Sequence, residues 1–149
     1  MEAATVNILL VDDDEVDVQS VKRAFRKAKI ENPVTIAHNG LDALAILRGE
    51  NGQPPLPHPH VILLDLNMPR MNGLEFLEEL RKDPMLRNRV VFVLTTSADE
   101  RDKAGAYDKQ VAGYIVKGKA GDGFTSLTAM LEHYWRVVEF PPFEANGAC

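Results

Sequence analysis

Four short runs of β-branched and aliphatic residues punctuate the chain, at positions 6–11, 61–65, 90–95 and 114–116. They are apolar on successive residues rather than on alternate ones, which predicts strands buried on both faces of a parallel sheet. Positions 33–37 form a fifth, weaker candidate. Between the runs the period changes. Val18, Val21, Phe25 and Ala28 recur at three- and four-residue spacing and make one apolar helical face, with Asp14 placed to cap it. Ala43, Leu44 and Leu47 follow Asn39, placed to cap their helix, and Leu74, Leu77 and Leu80 follow the turn-like pair Asn72-Gly73. Positions 98–109 carry Gly105 and many charges, so a lightly packed helix is expected there. The last helix has the clearest stripe, Phe124, Leu127, Leu131, Tyr134, Trp135 and Val138, and Pro141-Pro142 ends it.

Strands alternating with helices predict an α/β fold, a flavodoxin-like doubly wound five-stranded parallel sheet with right-handed crossovers, (βα)5. A chain of 149 residues suits one such domain and can bury a core without disulfides or structural metal. Its expected extent is 1–140, including an extended last helix, with 141–149 as a C-terminal tail. The Pro- and Gly-rich segment 49–59 reads as a surface loop, and His58-Pro59-His60 within it as loop rather than metal site. His38 and His133 have no partner at ligand spacing.

A net charge of −5 and the lack of a basic stripe argue against nucleic acid as a partner. The single cysteine, Cys149, allows no internal disulfide and reads as a tail thiol, as in a reducing compartment. No stretch has the length of a membrane span, and the short apolar run near the start meets acids at once, unlike a signal peptide. A cytoplasmic protein with no membrane partner is expected.

The candidate chemistry stands at the strand ends, where doubly wound sheets place it. The first predicted strand runs into Asp12-Asp13-Asp14, the third ends in Asp65, the fourth in Thr95-Thr96-Ser97 and the fifth in Lys117. Taken singly, a triple Asp before a helix is a cap, and a strand-end Asp, Thr or Lys is a turn residue. Gathered along one sheet edge, the carboxylates repel one another unless a cation compensates. All-oxygen ligands select a hard ion, and Mg²⁺ is held by one or two carboxylates plus water and a substrate phosphate. A hydroxyl and an ammonium beside a metal-bound carboxylate suit a transferred phosphoryl group, with Asp65 as its nucleophile.

These motifs resemble the response-regulator receiver domain from Ile8 to the end of the last helix. ILLVDDDE is similar to the acidic-pair motif, VILLDLNMPRMNG to the phosphoacceptor strand and turn, VFVLTTS to the hydroxyl strand and GYIVK to the lysine strand. The resemblance implies Asp65 as phosphoacceptor and Asp12, Asp13 and Asp65 as Mg²⁺ ligands, with the backbone carbonyl of Asn67 as another. It implies Thr95 and Lys117 on the phosphoryl oxygens, and Tyr114 as an aromatic switch residue moving with Thr95; a strand aromatic packed near the surface is the alternative for Tyr114. The DDDEVD start, the long Pro-rich loop, LTTS and the HYWRVVEFPP ending resemble the stand-alone receivers that partner phytochrome-type histidine kinases. In a two-component phosphorelay the implied partners are such a sensor kinase and an unknown downstream phosphotransfer or effector protein.

One departure from the family stands after the lysine, where a proline is usual and Gly118 is found. A cis bond costs about 2.5–4 kcal/mol before residues other than proline, so the usual cis geometry is not expected. Gly118 and Gly121 give this loop freedom instead.

Other chemistries share parts of this pattern. A haloacid-dehalogenase-like phosphohydrolase also uses a strand-end aspartate, but has an acid two positions later where Asn67 offers an amide that cannot relay a proton. At most slow autodephosphorylation is therefore expected, and no enzyme. A degenerate receiver binding partners without phosphorylation would lack one of the five motif residues, and a nucleotide-binding module would show a Gly-rich loop after the first strand. The apolar surplus of the last helix and its tail, Met130, Trp135, Val137, Phe140 and Phe143, suggests a homodimer through that helix. The alternative is that Trp135 and Phe140 fold back over their own subunit.

Overall fold

The computed structural model describes residues 5–50, 52, 54–119 and 124–142; Gly121, Phe143 and Cys149 lie outside the described residues. Five parallel strands, β1 (Asn7–Val11), β2 (Val34–Ala37), β3 (His60–Leu64), β4 (Val90–Thr95) and β5 (Gly113–Val116), form one sheet in the order β2-β1-β3-β4-β5. The helices are α1 (Glu15–Lys27), α2 (Gly40–Arg48), α3 (Gly73–Lys82), α4 (Glu100–Asp108) and α5 (Thr125–Val137). This is the flavodoxin-like doubly wound fold that the alternation of periods predicts.

The continuous apolar strands divide their side chains between two cores. Leu9, Val11, Ile62, Leu64, Val91 and Val93 pack with Leu44, Phe76, Leu77 and Leu80 of α2 and α3. Their strand neighbours Ile8, Leu10, Val61, Leu63, Phe92 and Leu94 pack on the other face with Val18, Val21 and Phe25 of α1 and Leu127 and Leu131 of α5. Helix starts follow the predicted caps. Asp14 accepts from Val16 and Asp17, Asn39 accepts from Asp42, and Asn72 and Glu75 form a reciprocal capping box. Helix α4 is as lightly held as its composition predicts, with Ala106 its one buried residue.

Three expectations change. His60 is no loop residue: it opens β3 and is buried, its Nδ1 3.2 Å from the Pro57 carbonyl. A carbonyl can only accept, so Nδ1 carries the proton, and burial lowers this imidazole to about 4, leaving it neutral. The Pro-rich segment is also tied to the core, through buried Leu56. Finally, Met130, Trp135 and Phe140 pack against their own α1/α5 core, and the Tyr134 ring meets Phe92 edge-on at 5.0 Å and Phe140 at 5.9 Å. Of the apolar surplus on α5, Val137 is the residue left outside, at 77% exposed. No helix among the described residues is long and apolar enough to cross a membrane.

Candidate functional site

Register brings the predicted strand ends together. Val11 pairs with Leu64, so Asp12 and Asp65 leave adjacent strands at the same level. Both backbones stay in the ladder: the Asp12 N–H donates to Ala37 and the Asp65 N–H to Val11. The two lie where the strand order reverses, between β1 and β3. Thr95 pairs with Val116, which sets Thr95 beside the start of the Lys117 turn. The turn after Asp65 closes tightly onto α3, with the Gly73 N–H donating to Leu66 at 3.0 Å. A Cβ on Gly73 would lie 2.5 Å from the Asp65 carbonyl oxygen, so this position needs glycine.

Asp12, Asp13 and Asp65 each offer a carboxylate oxygen within 4.8 Å of the others. Asp12 and Asp65 are buried, whereas Asp13 is exposed at the mouth. This oxygen-only donor set fits a hard divalent cation. Asn67 is exposed, and its N–H points to Asp65 Oδ1 at 3.4 Å. Thr95 is fully buried, with its Oγ1 3.4 Å from the Ser97 N–H. Tyr114 packs against the α2/α3 core and donates its hydroxyl to the Ser97 carbonyl at 2.9 Å.

Lys117 crosses the pocket. Its ammonium, on a side chain 8% exposed, lies 2.9 Å from Asp12 and 3.5 Å from Asp65. It lies nearer still, at 2.6 Å, to Asp17 on the first turn of α1. Burial pushes Asp12 up to about 6, against the lowering effects of the Asp14 N–H and of Lys117. Burial alone would lower the Lys117 ammonium, but its bonds to Asp17 and Asp12 outweigh that and hold it above its ordinary value. The two directions agree, because several acids share one ammonium: the cation is over-compensated and the buried carboxylate under-compensated. Lys117-Gly118 is not cis; among the described residues the cis bond is His58-Pro59.

Asp17 ends the DDDEVD start, but the sequence assigns it no role of its own. Its signal was faint, an acid in the first turn of a helix, where a favourable position at the positive helix end is explanation enough. The Ser97 hydroxyl is likewise engaged, donating to Asp102 of α4 at 2.6 Å.

Comparison with known proteins agrees with this geometry. The response regulator receiver domain model matches residues 8–128. Response regulator Rcp1 of Synechocystis sp. is 34% identical over 128 residues, covering 86% of this chain and 87% of the relative. Among solved structures, the Mn²⁺-bound form of Rcp1 has a TM-score of 0.79 at 32% identity, covering 93% of this chain and 100% of the other. The phosphorylated cyanobacterial phytochrome response regulator RcpA gives the same values. A bacteriophytochrome response regulator, RtBRR, has a TM-score of 0.73 at 33% identity, covering 97% and 89%. Matched over most of its length by model, sequence and fold, with the acids at the sheet's switch point, this chain belongs to the response regulator receiver family, a signalling domain of phosphorelays related to the phytochrome response regulators.

Proposed function

We propose that the chain accepts a phosphoryl group on Asp65 from a phytochrome-type sensor histidine kinase in the cytoplasm, with Mg²⁺ in the acidic pocket. The observation that carries this reading is the convergence of Asp12, Asp13 and Asp65 within 4.8 Å, with Lys117 reaching into the same pocket. Asp12, Asp13 and Asp65 would hold the ion, with the Asn67 carbonyl as a further ligand, and what it would supply there is neutralisation of charge on the phosphoryl oxygens. Asp65 then attacks phosphorus through one carboxylate oxygen; the new P–O bond forms as the donor's bond to phosphorus breaks, and that electron pair leaves with the donor. Lys117 and Thr95 donate to the phosphoryl oxygens. Moving Thr95 draws on the Ser97 segment, to which the Tyr114 hydroxyl is bonded, so Tyr114 reports the change. Asn67 offers no acid for hydrolysis, so autodephosphorylation is slow.

The phytochrome partner rests on the likeness to RcpA and RtBRR. The downstream partner is a phosphotransfer or effector protein. Assembly is a two-fold homodimer through the last helix. With Trp135 and Phe140 committed to their own core, the large apolar residues available to it are Val137 on α5 and Tyr107 on α4, 77% and 51% exposed. Incubation with acetyl phosphate and Mg²⁺ tests the central reading: mass spectrometry should place one phosphoryl group on Asp65, and Asp65→Asn or excess chelator should abolish it. Labelling elsewhere, or labelling that survives chelation, overturns it.

A further inference from the structure

The shortest contact of Lys117 is to an acid that the phosphoryl chemistry does not use. Its Nζ lies 2.6 Å from Asp17 Oδ2, 2.9 Å from Asp12 Oδ2 and 3.5 Å from Asp65 Oδ2. An ammonium has three N–H donors, so these acids take all of them, and the distances show it drawn toward α1 and away from Asp65. Asp17 is well placed to hold it. Its own N–H is tied to Asp14 Oδ1 at 3.3 Å at the helix start, beside the acidic pair, and its carboxylate lies outside the Asp12, Asp13 and Asp65 group that can share a cation. Its charge therefore remains available to the lysine when that group is occupied by an ion.

We propose that Asp17 is a positioning residue that holds the Lys117 ammonium back from Asp65, leaving a carboxylate oxygen of Asp65 open to the incoming phosphorus. The proposal rests on the reading of Asp65 as phosphoacceptor. Without Asp17, Lys117 has two acids for three donors and closes onto Asp65, and the ion pair occupies the lone pair that must attack. Once a phosphoryl group is on Asp65, its oxygens offer the ammonium a doubly charged partner in the same direction, and the swing becomes favourable. No bond is made or broken by Asp17 and no proton is transferred.

The experiment compares the full-length wild type, Asp17→Asn and Asp17→Glu for the rate of labelling by acetyl phosphate at saturating Mg²⁺. Asp17→Asn should slow labelling by on the order of tenfold, the size of one charge-assisted hydrogen bond, and Asp17→Glu should recover most of it. The slowing should vanish in a Lys117→Ala background, because an effect transmitted through the lysine needs the lysine. A readout independent of labelling is the ¹⁵N spectrum of the lysine ammonium groups: Lys117 should give a slowly exchanging signal in wild type that shifts in Asp17→Asn. An unchanged rate and spectrum in Asp17→Asn, or an equal loss of rate with and without Lys117, overturns the proposal. If wild type itself is not labelled on Asp65, the phosphoacceptor reading fails and this proposal falls with it.

Discussion

Titrating the pocket between pH 7 and pH 5 should weaken Mg²⁺ binding by about tenfold, because a proton competes with the ion for Asp12. Burial pushes that carboxyl up to about 6, so it is mostly ionised at pH 7 and mostly protonated at pH 5. The ratio of ionised fractions at the two pH values is about ten, from simple single-site titration. The same gap has a second consequence when no ion is bound. A carboxyl raised from 3.8 to about 6 binds its proton more tightly in the native chain than in the unfolded one. Its contribution to stability is therefore greatest below pH 3.8, declines as pH rises through the interval up to about 6, and is flat above it. The loss is on the order of 3 kcal/mol at full ionisation. Calorimetric Mg²⁺ titration at fixed ionic strength measures the first effect, and urea unfolding in chelator measures the second. In Asp12→Asn both pH dependences should disappear, although Mg²⁺ affinity itself falls. A wild-type affinity that stays level from pH 7 to pH 5 would refute the argument.

Two further outcomes are expected. Lys117→Ala should retain Mg²⁺ binding but uncouple phosphorylation from conformational change, read as Asp65 labelling without the spectral change seen in wild type; loss of Mg²⁺ binding in this variant would place the lysine in the wrong role. Gly73→Ala drives a Cβ to 2.5 Å from the Asp65 carbonyl and 2.7 Å from Leu66 Cα, both backbone atoms. It should cost about 1–3 kcal/mol in urea unfolding and slow Asp65 labelling, and normal values for both would show that the turn can yield.

The parts of this molecule that were legible in sequence are those where one local pattern has one physical meaning. The strand centres Leu9, Ile62 and Val93 are apolar on both sides in sequence because each neighbour serves a different core. Asp14, Asn39 and Asn72 act within three residues of themselves, so their capping could be read locally. Asp12, Asp65 and Lys117 were legible for another reason, since parallel topology alone collects strand ends at one edge. Asp17 was not, because its partner Lys117 is 100 residues away and a first-turn acid has an adequate local explanation. His60 was hidden by its Pro-rich surroundings, which look like loop on composition although the backbone has already entered β3. Trp135 and Phe140 show the opposite error. Counting apolar residues beyond one helical stripe treats the surplus as exposed, but the chain after α5 bends back and the ring of Tyr134 receives Phe140 edge-on.

Helix α4 has a consequence for how much a single phosphoryl group can do. On the proposed function, one or two new charge-assisted hydrogen bonds from Lys117 and Thr95 would supply a few kcal/mol, far less than is needed to lift α3, which buries Phe76, Leu77 and Leu80. They are comparable with what holds α4, whose buried residue is Ala106 and whose start is joined to the hydroxyl strand by the Ser97–Asp102 bond. The domain thus divides into a frame too expensive for the signal to deform and one segment within its means. A free energy of about 5.5 kcal/mol turns a state populated one time in a hundred into the dominant one, so α4 is where the proposed phosphorylation of Asp65 would become a large change in population, and amide hydrogen exchange should find its N–H groups opening well before those of α3.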